Sequence, residues 1–254
     1  MTQPWPYPRV FAHRGGGAFA PENTLAAMRE GADRGFRGVE FDVKLSADGE
    51  PFLLHDDTLE RTTSGNGPAV SRTWAELARL DAGSWHSPRF AGEPLVRLEA
   101  IARALRARAI AANVEIKPCP GRDAETGAAV ARACAALWHG APEPPLLSSF
   151  SVEALHAARA AAPQLPLGIL FEPGEIPPDW PHLLATLGAQ ALHAWFEDLT
   201  PTCVEAAHHA GLRVFAYTVN TAADADRLLQ MGVDSLCTDR LDLIGPGGTP
   251  PPGL

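Results

Sequence analysis

Short apolar runs alternate with longer amphipathic segments along most of the chain. Eight runs are rich in β-branched or other apolar residues and have the length of buried strands; they cover residues 9–12, 38–45, 110–116, 146–150, 167–171, 191–195, 213–219 and 234–238. The segments between them are rich in alanine. In one of these segments Leu98, Ile101, Ala102 and Leu105 repeat at the spacing of one helix face. The pattern predicts strands that alternate with helices.

Residue types that are typical of helix starts occur at several of the predicted helices. Thr73 with Glu76 and Thr221 with Asp224 have the spacing of capping boxes, Thr200 stands before Pro201, and Ser151 follows the fourth strand. Capping side chains satisfy the backbone N–H groups that the first helical turn leaves free. These positions therefore support the predicted helix boundaries.

Eight strand–helix units in 254 residues favour a closed parallel (β/α)8 barrel, for which about 250 residues is typical. The alternative is an open doubly wound sheet, which would carry G-x-G-x-x-G after the first strand. The sequence from His13 to Gly17 is instead His-Arg-Gly-Gly-Gly. We predict one barrel domain over residues 1–244.

Two segments depart from this rhythm. Residues 56–94, after the second strand, contain turn residues and one short helical pattern, and we predict a small insertion over the barrel mouth. Residues 245–254 are rich in proline and glycine, which predicts a disordered tail.

The net charge of −9 limits the partners that the protein can have. A field of this sign repels nucleic acid, whereas a small anion can still bind at a local cluster of positive charge. No apolar run approaches the about 18–20 residues that span a bilayer, and the first residues lack the pattern of a secretory signal. Four scattered cysteines indicate neither a disulfide framework nor a zinc site. We expect a cytoplasmic protein without stable membrane association.

Acidic residues occur in two of the predicted strands, and the functional groups of a parallel barrel collect at the carboxyl ends of its strands. Glu40 and Asp42 are two residues apart and therefore share one face of the second strand, and Glu115 lies in the third. Three carboxylates inside a barrel repel one another unless a cation joins them. An all-oxygen set suits one divalent cation, Mg²⁺ first and Ca²⁺ or Mn²⁺ as alternatives, rather than zinc.

Two histidines complete this candidate site: His13 ends the first strand, and His55 follows the second. Imidazole titrates near pH 6.5, so either ring can act as general acid or base. When the three carboxylates, one divalent cation, Arg14 and Lys117 are counted at full ionisation, one positive charge is left. This charge matches a phosphodiester better than a phosphate monoester. The residues indicate a metal-assisted phosphodiesterase, and the division of roles between the histidines stays open.

Several other residues are assigned structural roles. Asp239, after the last strand, is interpreted as the cap of a following helix, and Cys237 as a small buried hydrophobe. Trp74 and Trp85 are interpreted as packing residues of the insertion. The remaining histidines are also assigned structural roles: His86, His139, His156, His182, His193, His208 and His209.

The combined motifs resemble the glycerophosphodiester phosphodiesterase family, in particular its cytosolic bacterial members. The resemblance rests on His13-Arg-Gly with Pro21-Glu-Asn-Thr24, Glu40-x-Asp42, His55-Asp56, Glu115-x-Lys117, Leu147-Ser-Ser-Phe150 and Tyr217-Thr-Val-Asn220. It implies a TIM barrel that hydrolyses glycerophosphodiesters to sn-glycerol 3-phosphate and an alcohol. It also implies that Glu40, Asp42 and Glu115 bind the metal, that His13 and His55 are the acid/base pair, and that Arg14 and Lys117 meet the phosphate. Many relatives carry Trp at the position of Tyr217.

Two rival functions stay open. A phospholipase-like lyase on the same barrel would attack through a substrate hydroxyl and act on intact lipid; it would need an apolar rim or a basic patch, against which the charge of −9 argues. A catalytically idle phosphodiester-binding protein would be expected to have lost a histidine or a carboxylate of the site, and none is lost.

The sequence also bears on the substrate's two organic groups. If Phe150 and Tyr217 wall the glycerol end, the leaving alcohol points toward the insertion. No aromatic cage for choline is evident in the insertion, so we expect broad tolerance of the leaving alcohol. The sequence does not indicate the oligomeric state.

Overall fold

Eight parallel strands close into a barrel, which confirms the predicted fold class. The computed structural model describes residues 5–249 of the chain. The strands are β1 (Val10–Ala12), β2 (Gly38–Leu45), β3 (Pro51–Leu53), β4 (Ala111–Ile116), β5 (Leu146–Ser149), β6 (Leu167–Phe171), β7 (Ala191–Trp195), β8 (Arg213–Tyr217) and β9 (Ser235–Thr238). All except β3 belong to the barrel, and β1 closes it by pairing with both β9 and β2. The eight barrel strands correspond to the eight predicted runs.

Helices lie on the outside of the barrel between successive strands, except for the short α2, which belongs to residues 56–94. They are α1 (Leu25–Asp33), α2 (Trp74–Leu77), α3 (Leu98–Ala107), α4 (Asp123–Leu137), α5 (Val152–Ala161), α6 (Trp180–Leu187), α7 (Pro201–His209) and α8 (Ala222–Met231). The side chains of Ser151, Thr200 and Thr221 cap their helices as predicted. None of the helices in the described part of the chain is long and apolar enough to span a bilayer.

The main hydrophobic core fills the space between the strands and these helices. The stripe predicted on α3 is confirmed, because Leu98, Ile101, Ala102 and Leu105 are all buried in this core. Strand β2 is buried along its whole length, as expected for a parallel strand that is covered on both faces. Its alternate residues therefore point into the barrel.

The short strand β3 was not predicted. It runs antiparallel to the end of β2, with Val43 opposite Leu53, and the chain then enters residues 56–94. These residues contain α2 and have a small apolar cluster of their own, in which Leu59 and Leu77 pack near Phe52. Pairing of β3 with β2 places His55 close to the carboxylates of β2.

The chain after β9 differs from two expectations. Up to Thr249 no α-helix follows β9, so Asp239 is not a helix cap. Residues 245–249, the first part of the predicted disordered tail, form a turn in which Gly245 N donates to Thr249 O at 2.8 Å. The fully buried Ile244 anchors the start of this turn. Residues 250–254 of the predicted tail lie outside the described residues.

Helix α4 packs directly against α5 at Gly127. A Cβ atom on Gly127 would lie 2.0 Å from the carbonyl oxygen of Ala154, which is far inside contact distance. We expect Gly127→Ala to lower the free energy of unfolding by about 1–3 kcal/mol, the usual cost of overpacking. Gly247→Ala is the control, because its Cβ would meet no atom within 4 Å. Urea denaturation compares the variants, and equal stability would contradict this account of the helix contact.

Candidate active site

The three predicted carboxylates meet inside the barrel. Asp42 of β2 lies in register with Glu115 of β4, and Glu40 is two residues before Asp42 on the same face. One carboxylate oxygen from each of the three residues lies within 4.8 Å of the others. The exposed fraction is 5% for Glu40, 1% for Asp42 and 9% for Glu115. This is the arrangement that the two-residue spacing in β2 predicts.

Burial and crowding make this cluster electrostatically unfavourable on its own. Burial, followed by the charge of Asp42, raises the pKa of Glu40 to about 8 and that of Glu115 to about 7. Burial acts in the same direction on Asp42, but the guanidinium of Arg14 and other nearby cationic groups outweigh it and lower its pKa. A divalent cation would relieve this repulsion, and three carboxylates supply the oxygen ligands that such a cation prefers. The residues present therefore fit a hard divalent cation.

One backbone N–H and one side-chain amide from the segment after β1 hold the carboxylates in place. Arg14 N donates to Glu40 Oε2 at 3.1 Å, and Asn23 Nδ2 donates to Asp42 Oδ2 at 2.8 Å. Asn23 Oδ1 also accepts from Asp42 N at 3.0 Å, so its amide forms a two-bond bracket on Asp42. Asn23 has a φ of 60°, a left-handed conformation that asparagine tolerates better than most residues. This bracket is a physical role for the asparagine of the Pro-Glu-Asn-Thr motif.

Arg14 lies between acidic partners. Its Nη1 donates to Glu22 Oε1 at 2.8 Å, and its Nε lies 3.5 Å from Asp42 Oδ2 without hydrogen-bond geometry. Glu22 also accepts two hydrogen bonds from Arg61, so a carboxylate bridges two guanidinium groups. Lys117 Nζ is 3.0 Å from Glu115 Oε1. Arg14 and Lys117 both line the cavity at the barrel mouth and supply its positive charge.

His13 is held in place by Asp239, which the sequence suggests as a helix cap. Its Nδ1 lies 2.6 Å from Asp239 Oδ1, and because a carboxylate accepts, Nδ1 is the donor. Asp239 Oδ2 accepts from Asn220 Nδ2 at 3.0 Å, which fixes the carboxylate. Burial opposes protonation of His13, but the hydrogen bond to Asp239 and the charge of Glu40 outweigh it and raise its pKa. Asp239 thus positions the ring and leaves Nε2 on the side of the carboxylate cluster, 3.8 Å from Glu40 Oε2.

His55 has a similar partner in a different electrostatic setting. Its Nδ1 donates to Asp56 Oδ1 at 2.8 Å, but Asp56 also accepts two hydrogen bonds from Arg61. The guanidinium neutralises much of the carboxylate's charge. Burial, together with the charges of Arg14 and Lys117, lowers the pKa of His55 although Asp42 acts in the opposite direction. The two histidines therefore differ in the direction of their pKa shifts.

One cavity of about 330 Å³ brings most of the predicted site residues together. Its lining includes His13, Arg14, Glu40, His55, Glu115, Lys117, Phe150 and Tyr217. Asp42 is buried behind this surface. A second cavity, of about 380 Å³, shares His13 and Arg14 with the first and is bounded on its far side by Trp85 and His86.

Trp85 differs from the expectation that it is a packing residue. It is 41% exposed, because it stands at the rim of the second cavity, and its Nε1 donates to Ala82 O at 2.9 Å. Trp74 does pack against the small apolar cluster as expected. His86 joins the segment to the barrel, with Nε2 3.2 Å from Ala18 O.

The charge balance also differs from the count made on the sequence. Glu22, Asp56 and Asp239 bring three further carboxylates, and Arg61 brings one further cation. With a divalent cation and neutral histidines, the formal charge falls from one positive to one negative, and protonation of His13 returns it to zero. The net positive charge that the first count matched to a phosphodiester is therefore not found when these groups are included, and the charge sum does not distinguish a diester from a monoester.

Two histidines, three clustered carboxylates and two cationic side chains around one cavity are groups that fit a hydrolase of phosphoric diesters. The model of the glycerophosphoryl diester phosphodiesterase family matches residues 13–243, and the chain belongs to this family. Its fold is accordingly the TIM barrel that the resemblance implied.

Relatives and solved structures agree with this membership. A glycerophosphodiester phosphodiesterase from Caldanaerobacter subterraneus subsp. tengcongensis is 32% identical over 247 residues, which cover 94% of this chain and 98% of the relative. A phosphodiesterase from Oleispira antarctica, solved in complex with the product sn-glycerol-3-phosphate, has a TM-score of 0.86 at 35% identity. The matched region covers 92% of this chain and 93% of that protein. A glycerophosphodiester phosphodiesterase from Agrobacterium tumefaciens has a TM-score of 0.77 at 30% identity. The matched region covers 95% of this chain and 98% of that protein.

Proposed function

We propose that the protein hydrolyses glycerophosphodiesters to sn-glycerol 3-phosphate and an alcohol. The observation that carries the proposal is the pair His13 and His55, each with Nδ1 on a carboxylate, lining one cavity with Glu40 and Glu115. This arrangement supplies an acid and a base beside an anion-binding centre, which a phosphodiester displacement requires. The product bound by the Oleispira antarctica relative is consistent with the same substrate class.

Glu40, Asp42 and Glu115 would hold one divalent cation, with Mg²⁺ as the first candidate and Ca²⁺ or Mn²⁺ as alternatives. Such a cation polarises a phosphoryl oxygen and stabilises the charge that develops in the transition state. Arg14 and Lys117 orient the phosphate from the same cavity. Asn23 keeps Asp42 in position, and the backbone N–H of Arg14 does the same for Glu40.

The charges around the two rings favour one assignment of the acid and the base. His13 faces Asp239, whose other oxygen accepts from the neutral amide of Asn220, so an imidazolium is stabilised there. His55 faces Asp56, whose charge is shared with a guanidinium, so the neutral ring is favoured. His55 Nε2 accepts a proton from the attacking O–H group, and His13 Nε2 gives its proton to the alkoxide as the phosphorus–oxygen bond breaks. Divergent environments of this kind are typical of acid/base pairs.

The proposed activity is tested by the purified protein's release of glycerol 3-phosphate from glycerophosphocholine, measured with a coupled dehydrogenase. Glycerol 3-phosphate itself, assayed for phosphate release, is the monoester control. We expect turnover of the diester and no release of phosphate from the monoester, which is the product of the proposed reaction. Phosphate release without diester cleavage would contradict the proposal.

Asp239→Asn tests the positioning of His13. The amide keeps the shape of the carboxylate but removes the charge that stabilises the imidazolium, so we expect kcat to fall roughly 10–100-fold, the usual effect of losing an orienting partner. The alkaline limb of the pH–rate profile should also move to lower pH, because the pKa of His13 falls.

The control is Asp234→Asn. Asp234 Oδ2 lies 2.9 Å from His208 Nε2, and this third His–Asp pair lies outside the cavity. This variant should keep both the rate and the pH profile. If Asp239→Asn lowers the rate but leaves the pH profile of the wild type unchanged, the residue has only a structural role.

A further inference from the structure

The two histidines of the proposed acid/base pair border the two cavities differently. His55, the proposed base, lines the first cavity, whereas His13, the proposed acid, lines both the first and the second. In a phosphodiester displacement the attacking and leaving oxygens lie roughly in line on opposite sides of the phosphorus. The alcohol that receives the proton of His13 is therefore the substituent that can extend into the second cavity.

The insertion supplies an aromatic surface at the rim of the second cavity. Trp85 is 41% exposed, and no other large hydrophobic side chain within residues 5–249 is exposed to this degree. Its ring centroid lies 5.6 Å from that of His86 with planes at 85°, and His86 in turn lies 5.3 Å from Phe90 at 77°. An exposed indole at a cavity rim offers a surface on which the carbon atoms of a ligand can pack.

Hydrogen bonds hold the segment that carries Trp85 in one conformation. Asp81 accepts from Gly83 N at 2.7 Å and from Ser84 N and Gly92 N, each at 2.8 Å. One carboxylate thus fixes the chain both before and after the indole. The surface is preorganised, which lowers the cost of binding a ligand against it.

The barrel side of the second cavity is lined by the small residues Gly17, Ala18 and Ala20. Ala18 N donates to Asp239 O at 2.9 Å, and Ala18 O lies 3.2 Å from His86 Nε2. The same residue therefore connects this wall to the chain after β9 and to the insertion. Because the side chains on this wall are small, a volume of about 380 Å³ stays open between the barrel and the insertion.

The carboxylates that line the second cavity are already paired. Glu22 accepts one hydrogen bond from Arg14 and two from Arg61, each at 2.8 Å. Asp239 Oδ1 lies 2.6 Å from His13 Nδ1, the ring that is protonated before it acts as the acid. Each carboxylate is thus opposed by a cationic side chain, and a field without an excess of either sign does not select an alcohol by its charge.

We propose that the second cavity binds the leaving alcohol, with the indole of Trp85 against its carbon atoms, and that it accepts cationic and neutral alcohols alike. This inference rests on the proposed function and places the alcohol on the side of the insertion. Trp85 is then a specificity-determining residue for the size of the alcohol rather than for its charge.

The test follows two diesters of glycerol 3-phosphate, glycerophosphocholine and the methyl ester, in the wild type and in Trp85→Ala. The methyl ester keeps the glycerol and phosphate groups but has a single carbon for the second cavity. We expect Trp85→Ala to lower kcat/KM for the choline ester by about tenfold, mainly through KM, and for the methyl ester by less than about twofold. Tenfold corresponds to about 1.4 kcal/mol, or to roughly 55 Å² of apolar contact.

The charge of the alcohol is tested with the neutral isostere of glycerophosphocholine, in which 3,3-dimethylbutanol replaces choline. A cation beside a partly exposed indole gains about two- to fivefold over a neutral group. We therefore expect the wild-type kcat/KM values of these two esters to differ by less than about tenfold. A larger preference in either direction would overturn the tolerance of charge.

Trp5→Ala is the matched tryptophan control. Trp5 also donates from Nε1, to Ser235 Oγ at 2.8 Å, but it lines a different cavity together with Pro166 and Gln190, which directly precede β6 and β7. This cavity is at the opposite end of the barrel from the proposed active site. Trp5→Ala should therefore leave kcat/KM for both esters unchanged.

A second variant, Ala18→Phe, narrows the second cavity from the barrel side and should also lower kcat/KM for the choline ester selectively. Thermal denaturation shows which variants are folded, and Ala18→Phe provides the same comparison if Trp85→Ala does not fold. An equal loss with both esters in Trp85→Ala, or a loss with neither, would overturn the assignment of the second cavity. If the wild type hydrolyses neither ester, the proposed function fails and the inference fails with it; hydrolysis of both without a loss that depends on the alcohol's size removes the inference alone.

Discussion

Removal of divalent cations with EDTA is expected to abolish turnover, and Mg²⁺ is expected to restore it. The reason is the cluster of Glu40, Asp42 and Glu115, whose oxygens lie within 4.8 Å of one another in a buried site. Without a cation these carboxylates repel one another and take up protons, and the phosphate loses its main electrophilic partner. The measurement is glycerol 3-phosphate release before chelation, after chelation and desalting, and after Mg²⁺ is added back.

Binding can be separated from catalysis in the same experiment. A ligand that binds the folded state alone raises the Tm, so Mg²⁺ should raise the Tm of the chelated protein, and the rise should continue with the logarithm of the Mg²⁺ concentration above the Kd. Glu115→Gln should weaken this shift, because it removes a charged ligand and leaves the side chain's shape unchanged. Full activity in protein shown to be metal-free would contradict the assignment of the three carboxylates.

Replacement of His13 or His55 with alanine is expected to lower kcat by about 10²–10⁴-fold, the usual contribution of one positioned acid or base. Both rings lie at the cavity surface rather than in the hydrophobic core, so the fold should survive. His139→Ala is the control, because His139 is exposed and lies at the end of α4, outside the cavity. A wild-type kcat in His55→Ala would refute the two-histidine mechanism.

The pH profile distinguishes the roles of the two rings. His55 must be neutral to accept a proton, and its pKa is lowered below the ordinary value of 6.5, so kcat/KM should rise with pH in that acidic range. His13 must be protonated to donate, and its pKa is raised above 6.5, so kcat/KM should fall as the pH rises through that higher value. His55→Ala should lose the acidic limb and keep the alkaline one. The opposite result would exchange the roles of the acid and the base.

The fold could be predicted because the strands carry their information locally. Buried parallel strands are continuously apolar, and β2 shows this directly except where Glu40, Asp42 and Lys44 interrupt it. The same alternation puts Glu40 and Asp42 on one face, so two of the three carboxylates of the cluster follow from one strand. The β3 strand was missed, because three residues that pair with the end of a barrel strand have no periodicity of their own.

The partners of the histidines depend on contacts that the sequence does not record. Asp239 lies 226 residues after His13, and only closure of the barrel between β1 and β9 brings them to 2.6 Å. In the sequence an aspartate after a strand equally suits a helix cap. Trp85 was assigned to packing for a similar reason, because apolar character alone does not show whether a side chain faces a core or a cavity.

The proposed hydrolysis breaks the phosphorus–oxygen bond to the leaving alcohol and transfers the glycerophosphoryl group to water. Digestion of glycerophosphocholine followed by ³¹P NMR tests it most directly, because the possible products have separate resonances. We expect the diester signal to be replaced by that of glycerol 3-phosphate, and we expect the double variant His13→Ala/His55→Ala to leave the diester signal unchanged. Accumulation of a cyclic glycerophosphate as the end product would support the lyase instead. Formation of phosphocholine, or an unaltered spectrum with the wild-type protein, would contradict the proposed hydrolysis.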